Sequence, residues 1–447
     1  MLLATVILGF SRLGTILKYG ESGLGYDTGF YRRYLQLPVD SIPRPESLLL
    51  GPETTASRSF LDFFSLIGLS PNQIIYGVYF ILHWILGLLL YFLAKKSFGR
   101  NAGIATFFIF ALSPVQFFSF WFVFLKQSIA LIWLFLSLYL LEQDSLTFFI
   151  PLILTFFSHR TTTIITAFSA IPYALYTSFK LNGAKKIYTV IGAITIGIII
   201  WLLNGQVIIE IIQLLKNGLT GGDLYSLRTG QFISLSQFLA FVSPYIPLSI
   251  AGLYVTIKNK RFNGIFFFTI TVLLLVLLRS FFYLRLLVFL DLGIIFYAGV
   301  GTSFLITNLK NQKTAILITS VWCLTLTIIL ANVVITLRPI ISQEDLREIN
   351  KISSLPTDSL VMTESSIYAP WLVGWAGTYK RIISPGILWD EWNLEKWNVY
   401  WNATTEEQIK LLSEYKKAIY IFKPNNDYSQ NKCFTKFNDL TYKFICY

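Results

Sequence analysis

Charged residues are scarce in this chain. They make up 13% of its 447 residues, whereas 54% are hydrophobic and 17% are aromatic, and the mean hydropathy is +0.61. A soluble chain of this size could not bury so much apolar surface, so the composition predicts a polytopic helical membrane protein. The sequence also lacks a glycine-rich phosphate loop, a Cys/His metal cluster and a Ser/His/Asp arrangement, so none of these sites is predicted.

Basic residues outnumber acidic ones, 36 to 24, and give a net charge of +12. They lie in short turns between apolar runs, so they indicate membrane topology and no nucleic-acid partner. The basic turns are Lys95/Lys96/Arg100, Lys180/Lys185/Lys186, Lys258/Lys260/Arg261 and Lys310/Lys313.

Apolar segments predict about eleven spans in the cell membrane, with the N-terminus cytoplasmic and the C-terminus outside. They lie near residues 1–17, 73–94, 102–122, 125–141, 147–177 (two), 187–203, 234–256, 264–280, 286–306 and 314–336. Residues 147–177 form either one long helix or a hairpin of two short ones. Only the hairpin, with His159 and Arg160 at its outer tip, places all four basic turns on one side, and we therefore favour it. The first segment is short and contains Arg12, so we expect that the true start lies upstream or that this helix is incomplete as given.

Two domains are predicted: a transmembrane domain over residues 1–337, with outer loops at 18–72 and 204–232, and an extracytoplasmic α/β module over 338–447. The first loop should carry a surface helix at 57–69. The module should have strands at 359–363, 381–384, 418–422 and 442–446, and helices at 343–352 and 406–415. Cys433 and Cys446 both fall in the module, where they either pair or remain free thiols.

Asp27 lies between Gly25 and Gly29 in the first outer loop. Transfer of a sugar to a hydroxyl or amide needs a carboxylate that accepts the acceptor's proton, and Asp27 is the best candidate for this general base. The alternative is a turn aspartate that satisfies local backbone donors. The spacing is compatible with both interpretations.

Polar residues at the outer ends of spans are candidates for binding a phosphate. Lys126 and Gln127 begin a span, where the lysine either binds phosphate or snorkels to the interface. At the hairpin tip, Arg160 could clamp phosphate and His159 could donate a proton to a leaving group, unless both simply cap the hairpin.

A second pair of arginines, Arg279 and Arg285, brackets the outer turn that contains Tyr283. Two cations on the outer side run against the positive-inside trend, which favours a functional role. Asp291 lies six residues beyond Arg285 and therefore on another face, so its expected partner is a cation from another helix. His83 lies mid-span and is expected to make a structural hydrogen bond.

These features resemble the GT-C class of membrane glycosyltransferases, which use polyprenyl-phosphate- or polyprenyl-pyrophosphate-linked sugars. The likeness lies in four stretches: Asp27-Thr28-Gly29-Phe30-Tyr31 after a short first span; 90–100 leading to Ala111-Leu112-Ser113-Pro114; 283–292 continuing to Ala298-Gly299-Val300-Gly301; and the outer module with Ile367-Tyr368-Ala369-Pro370-Trp371 and Arg381-Ile382-Ile383-Ser384-Pro385.

The resemblance implies a GT-C fold, a catalytic acid at Asp27 and an arginine for the donor phosphate at Arg285. Further phosphate contacts are expected from Lys126, Arg160 and Arg279, and positioning or acid/base roles from His159, Gln127 and Tyr283. The partners implied are a lipid-linked sugar, membrane lipid and an acceptor glycan, lipid or protein. Four module tryptophans, Trp389, Trp392, Trp397 and Trp401, are expected to stack on acceptor sugars.

One departure from the family pattern and two rival interpretations qualify this picture. Metal-dependent oligosaccharyltransferases carry paired acids in the first loop, but residues 25 and 29 are glycine here. Glu21 is the nearest other acid, so metal-independent transfer is favoured. Residues 125–130 with 157–162 also resemble the span pair of Wzy/EpsG-like polysaccharide polymerases, which lack a large C-terminal module. A transporter or flippase of lipid-linked sugars should show two related halves with interrupted helices, and the sequence shows no such symmetry.

Overall fold

The structure is a computed structural model. It describes residues 1–23, 25–37, 54–178, 232–279, 283–308, 312–377, 380–385, 387 and 392–447, together with a few helical positions between 190 and 209. The described residues fall into two compact units. The first comprises residues 1–14, 51–60 and 78–337, and the second comprises 15–50, 61–77 and 338–447. Most of the predicted span 187–203 and of the loop 204–232 lies outside the described residues.

The region before residue 338 is helical throughout its described part. Its helices are α1 (Leu2–Tyr19), α2 (Thr28–Gln36), α3 (Thr55–Leu66), α4 (Tyr79–Phe98), α5 (Arg100–Leu112), α6 (Pro114–Trp121), α7 (Leu125–Leu141), α8 (Phe149–Phe156), α9 (Arg160–Ser178), α10 (Leu235–Val242), α11 (Ile246–Lys258), α12 (Gly264–Leu277), α13 (Tyr283–Asn308) and α14 (Gln312–Thr336). A π-helical turn, Gln73–Val78, precedes α4.

Four of the described helices are long and apolar enough to cross a membrane, at Leu2–Ser22, Gln73–Phe98, Tyr283–Asn308 and Leu317–Thr336. The number rises to six if the bent pairs α5–α6 and α10–α11 each count as one span, and α7, α8 and α12 are shorter apolar helices. The predicted membrane character and helical class are confirmed. The predicted number of about eleven spans is not confirmed.

Residues 147–177 form two helices, α8 and α9, separated by the turn at 157–159, as the hairpin prediction required. A single helix is excluded by this turn. The hydroxyl of Ser57, in α3, donates to the carbonyl of Ser158 at 2.9 Å and fastens the turn.

The break between α5 and α6 follows from a serine–proline pair. A residue before proline avoids the helical region, and Ser113 accordingly has a ψ of 121°. Its hydroxyl then accepts the backbone N–H of Gln116 and so caps the next helix. The two helices meet at 55°, and α10 and α11 meet at 75°.

Asp291 joins these two breaks within the first unit. Its carboxylate accepts hydrogen bonds from the Ser113 hydroxyl at 2.8 Å, the Gln116 amide at 2.8 Å and the Tyr245 hydroxyl. Ser113 lies between α5 and α6, and Tyr245 between α10 and α11. The expected cationic partner is therefore wrong: neutral donors satisfy this buried carboxylate, which ties both bends to α13.

His83 is also different from the prediction. It is fully buried, and neither ring nitrogen has a hydrogen-bond partner among the described residues. The imidazole instead packs among the rings of Tyr79, Phe110 and Phe120, with centroids 5.0–6.5 Å away.

The C-terminal region is an α/β module. Its elements are α15 (Gln343–Ile352), β1 (Leu360–Thr363), α16 (Ala369–Trp375), β2 (Arg381–Ile383), α17 (Leu394–Asn402), α18 (Thr405–Ser413), β3 (Ile419–Phe422), β4 (Phe434–Asn438) and β5 (Thr441–Phe444). The strand order is β2-β1-β3-β5-β4, with β2, β1 and β3 parallel and the β3–β5 and β5–β4 pairs antiparallel. All four predicted strands and both predicted helices are present. The polar strand β4 and the short helices α16 and α17 were not predicted.

A buried acid organises one side of this sheet. Glu364 follows β1, and its carboxylate accepts the backbone N–H of Asn425 at 2.8 Å and the hydroxyl of Tyr400 at 3.1 Å. Burial raises the pKa of Glu364 despite these donors. Cys433 and Cys446 form a disulfide, so of the two alternatives the bonded state is the one observed.

Candidate functional site

Asp27 stands at the N-terminus of α2 in the second unit. It is half-buried, and its side chain does not make the capping hydrogen bond that aspartate at this position usually makes. Burial, together with the negative charge of Asp27, raises the pKa of the neighbouring Tyr26 to about 12. The carboxylate therefore lies close to a phenol that stays protonated at neutral pH, and at the helix end where the dipole favours a negative charge.

Gly29 brings α2 into backbone contact with the C-terminal module. A Cβ atom at position 29 would lie 1.7 Å from the carbonyl oxygen of Pro370, and one at Gly374 would lie 2.6 Å from the Cα of Gly29. Only glycine at both positions allows this approach, since no side chain intervenes that could move aside. The motif Asp27-Thr28-Gly29 is thus held against α16, within one compact unit.

Glu21 is the acid nearest to Asp27 in the sequence, and it is the centre of a hydrogen-bond network. Its carboxylate accepts from the guanidinium of Arg32 at 3.2 Å, from the amide of Asn72 and from the indole N–H of Trp375. Arg32 also lies over the ring of Trp375, 4.7 Å from the ring centroid. Oε2 of Glu21 thereby connects the loop to α16, while Oε1 accepts from Arg32 and Asn72.

The described surroundings of Glu21 do not fit the predicted alternative of a metal held by Glu21 with Asp27. A guanidinium occupies one side of Glu21, and a positive charge there opposes a bound cation. Among the described residues, no three His, Cys, Asp or Glu side chains are grouped so that they could hold a metal ion. No metal therefore enters the mechanism proposed below.

The first unit brings together three of the predicted phosphate-site residues: Lys126, His159 and Arg285. Burial lowers the pKa of His159, in the turn between α8 and α9, well below its usual value, and the positive charges of Lys126 and Arg285 lower it further. A neutral imidazole thus lies within electrostatic reach of two cations from α7 and α13. His159 Nδ1 faces the hydroxyl of Thr162 at 2.9 Å, so it also caps the start of α9.

Backbone strain accompanies this cluster. Val123, in the turn between α6 and α7, has a φ of 57°, which is rare for a β-branched residue. The N–H of Leu125 donates to the carbonyl of Val123 across Phe124 at 2.8 Å, and the guanidinium of Arg285 lies over the ring of Phe124. Strain of this kind occurs most often at functional sites.

The other predicted residues have less definite surroundings. Arg160 and Arg279 are exposed, and neither makes an ion pair with the described part of the chain. Tyr283 is half-buried at the start of α13, next to residues 280–282, which lie outside the described residues. Gln127 is 3% exposed, and its amide nitrogen has no acceptor among the described residues.

The expected sugar-stacking tryptophans are largely inside the module. Trp392 and Trp397 are 3% and 1% exposed and pack in one apolar cluster with strand residues, so neither ring presents a face to a ligand. The prediction is therefore wrong for these two residues. A sequence does not distinguish aromatic side chains that pack in a small core from those that form a binding patch. Trp401 is 38% exposed, and Trp389 lies outside the described residues.

Several of these features were not foreseen. The Glu21 network and the approach of Gly29 to Pro370 each join residues more than 300 positions apart, so no local sequence pattern predicts either contact. The glycine at position 374 within an otherwise bulky apolar run was the one available signal, because glycine inside a helix often marks a close backbone approach.

Comparison with known proteins gives a likeness at the level of structure. No family model matches the sequence, and no curated protein matches it. Among solved structures, the chain is similar to the oligosaccharyltransferase of Archaeoglobus fulgidus in its apo form, with a TM-score of 0.66, 12% identity, and coverage of 94% of this chain and 69% of that one. It is also similar to the same archaeal enzyme, AglB, in complex with an inhibitory peptide and a dolichol-phosphate (TM-score 0.64, 12% identity, 94% and 68% covered). A third match is that enzyme tethered to an acceptor peptide containing the NVT sequon (TM-score 0.61, 13% identity, 94% and 68% covered). The chain therefore has the GT-C fold of the membrane oligosaccharyltransferases, as the sequence resemblance implied.

Proposed function

We propose that this chain is a membrane glycosyltransferase that moves a sugar from a polyprenyl-phosphate-linked donor to an acceptor on the extracytoplasmic face. The observation that carries the proposal is the fold. It matches, over 94% of the chain, an enzyme whose solved structures hold dolichol-phosphate in one case and an acceptor peptide in another. Because the identity is 12–13%, the fold supports the reaction class and leaves the sugar and the acceptor open.

Asp27 is assigned the acceptor's proton. As the glycosidic bond forms, the carboxylate accepts the proton of the attacking hydroxyl or amide, and the sugar–phosphate bond breaks with the electron pair leaving on the phosphate. The close packing of Gly29 on α16 supports this role, because a general base must be held within hydrogen-bond reach of the acceptor.

Arg285 and Lys126 are assigned the donor phosphate. Two cations beside a neutral histidine form a locally positive site, which suits a phosphate at the membrane boundary. The depressed pKa of His159 keeps the imidazole neutral, so it contributes an N–H donor without a further charge. Arg160, Arg279, Gln127 and Tyr283 remain candidates for contacts to the same phosphate.

The proposal is tested by release of polyprenyl phosphate from a panel of lipid-linked sugars. Membranes that contain the wild type, Asp27→Asn or Arg285→Gln are compared at matched expression. Asp358→Asn, which removes an exposed carboxylate from the module, and Lys258→Gln serve as controls. We expect release by the wild type and both controls. Loss of a general base should reduce the rate by roughly 10²–10⁴-fold in Asp27→Asn.

The outcomes separate the two roles. Arg285→Gln should raise the donor concentration needed for half-maximal rate, whereas Asp27→Asn should lower the maximal rate. Equal release by the wild type and Asp27→Asn would refute the assignment of Asp27 and leave a transferase with another base. If no lipid-linked sugar is consumed in the presence of acceptor extracts, the transferase reading fails and a transporter becomes the better hypothesis.

A further inference from the structure

A polar cavity lies at the end of the helical bundle where α4, α7, α9 and α11 end and α12 begins. Its volume is about 460 Å³. Each wall is the terminus of an apolar helix, so the cavity lies at the depth where hydrocarbon gives way to headgroups. It belongs entirely to the first unit and contains none of the residues assigned above to the donor phosphate or the acceptor.

The charges that line this cavity are mixed. Lys96, Lys260 and Arg261 supply three cations, and Glu142 and Asp144 supply two carboxylates. Arg261 is fixed by a hydrogen bond from its guanidinium to the carbonyl of Ser97 at 3.0 Å. The two acids would repel a purely anionic ligand, so the lining suits a ligand that carries both a positive and a negative charge.

Glu142 is the polar group that this cavity leaves incomplete. Its oxygen Oε2 accepts the hydroxyl of Ser97 at 3.0 Å, but its buried oxygen Oε1 has no hydrogen-bond partner among the described residues. Burial raises the pKa of Glu142 to about 7, although Ser97, the backbone N–H of Gly264 and Lys96 all favour the charged form. A buried carboxylate oxygen without a donor costs free energy, and a ligand N–H group would supply that donor.

We propose that this cavity binds the headgroup of a membrane phospholipid that carries a phosphate and a primary ammonium group, as phosphoethanolamine does. The phosphate lies against Arg261, Lys96 and Lys260, and the ammonium donates to Glu142 Oε1 and faces Asp144. Apolar lining from Leu141, Tyr173 and Phe262 accommodates the first carbons of the lipid. A choline headgroup lacks an N–H donor, and a glycerol headgroup lacks the positive charge, so both should bind less well.

The test is native mass spectrometry of the full chain after incubation in detergent with equimolar phosphatidylethanolamine, phosphatidylcholine and phosphatidylglycerol of the same acyl chains. For the wild type we expect retained phosphatidylethanolamine to exceed each of the other lipids roughly tenfold, the factor that one charge-assisted hydrogen bond typically provides. Glu142→Gln should abolish this preference. Arg261→Gln should weaken retention of all three lipids, because they share the phosphate.

Lys258→Gln is the matched control. Lys258 lies on the last turn of α11, its ammonium is over the ring of Tyr254, and it does not line the cavity. This variant should retain the wild-type preference. If phosphatidylethanolamine is not preferred by the wild type, or if Glu142→Gln keeps the preference, the proposal is wrong.

Soluble O-phosphoethanolamine distinguishes the source of the same chemistry. It should compete only at concentrations far above those of the lipid, because it lacks the acyl chains that reach the apolar part of the cavity. Competition at equal concentration would overturn the assignment to a membrane lipid. A Glu142→Gln variant that does not fold leaves the test intact, because Arg261→Gln and the three-lipid comparison on the wild type still decide it.

Discussion

Substitution of Gly29 by alanine should destabilise the second unit and move Asp27. The added Cβ would lie 1.7 Å from the carbonyl oxygen and 2.4 Å from the carbonyl carbon of Pro370, whereas real contacts of this kind begin near 3 Å. The obstacle is backbone, so the clash can only be relieved by moving α2 away from α16. Overpacking of a core costs about 1–3 kcal/mol, and the rigid neighbour places this substitution at the upper end, about 3 kcal/mol.

Alanine also has a favourable effect that must be subtracted. In a helix it is preferred over glycine by up to about 1 kcal/mol, so the net loss should be about 2 kcal/mol. For a unit of this size, that corresponds to a fall in Tm of roughly 4–8 °C. Gly77→Ala is the control in the same unit, because nothing lies within 4 Å of a Cβ at that position.

The assay is thermal unfolding of the purified full chain in detergent, followed by the accessibility of the module to protease. Gly29→Ala should unfold earlier than both the wild type and Gly77→Ala, and its transfer rate should fall by up to about 100-fold, since a displacement of about 1 Å can cost that much. Gly374→Ala should have the same effect, and the double variant should cost less than the two single variants together, because the first shift already opens the contact. A Gly29→Ala chain as stable as the wild type would refute the close approach.

Three further predictions concern acids that accept several hydrogen bonds. Glu364 has a raised pKa in the folded chain, so the folded state binds its proton more tightly than the unfolded state does. The free energy of unfolding should therefore fall as the pH rises from the unfolded pKa through the folded pKa. Glu364→Gln should remove this dependence in thermal unfolding between pH 4 and 7, and an unchanged pH profile of the variant would contradict the prediction. Asp291→Ala strands three buried donors, each worth on average about 0.6 and at most about 1.7 kcal/mol in membrane proteins, so it should destabilise the helical unit by about 2–5 kcal/mol, measured by thermal unfolding in detergent. Glu21→Gln should lower the Tm of the chain, and wild type and variant should respond alike to chelator; activity that a chelator abolishes in the wild type and that is already lost in Glu21→Gln would instead implicate Glu21 as a metal ligand.

The sequence predicts those parts of the fold that depend on neighbouring residues. Apolar runs locate the helices, and the capping box at Thr404 and Glu407, a pattern visible in the sequence, opens α18. The steric effect of Pro114 on Ser113 is equally local, although the apolar run over 102–122 predicts one continuous span across this position. The number of cysteines does not show whether Cys433 and Cys446 are paired or remain free thiols. Only the fold shows that the two residues lie close enough to form a disulfide.

The parts that could not be predicted depend on pairs of residues far apart in the chain. Asp291 finds Tyr245 at a separation of 46 positions and Ser113 at 178. A single sequence contains the spacing along one helix but not the identity of the helix that packs against it. The rule that acids in membranes pair with cations failed here because three neutral donors can satisfy a carboxylate without a second buried charge.

The first outer loop presents the same difficulty at the site itself. Glu21 and Asp27 lie six residues apart at the start of this loop, and the sequence predicts Asp27 as the base, with Glu21 only as a possible partner of Asp27 in holding a metal. The structure separates them by their contacts: the carboxylate of Glu21 accepts hydrogen bonds from Arg32, Asn72 and Trp375, so both of its oxygens are already engaged. Asp27 directly precedes α2, the helix whose Gly29 packs against α16, and its side chain does not cap that helix. Because Glu21 is engaged in its own network and Asp27 begins the helix that packs on α16, Asp27 is the acid at which the catalytic base should be sought first.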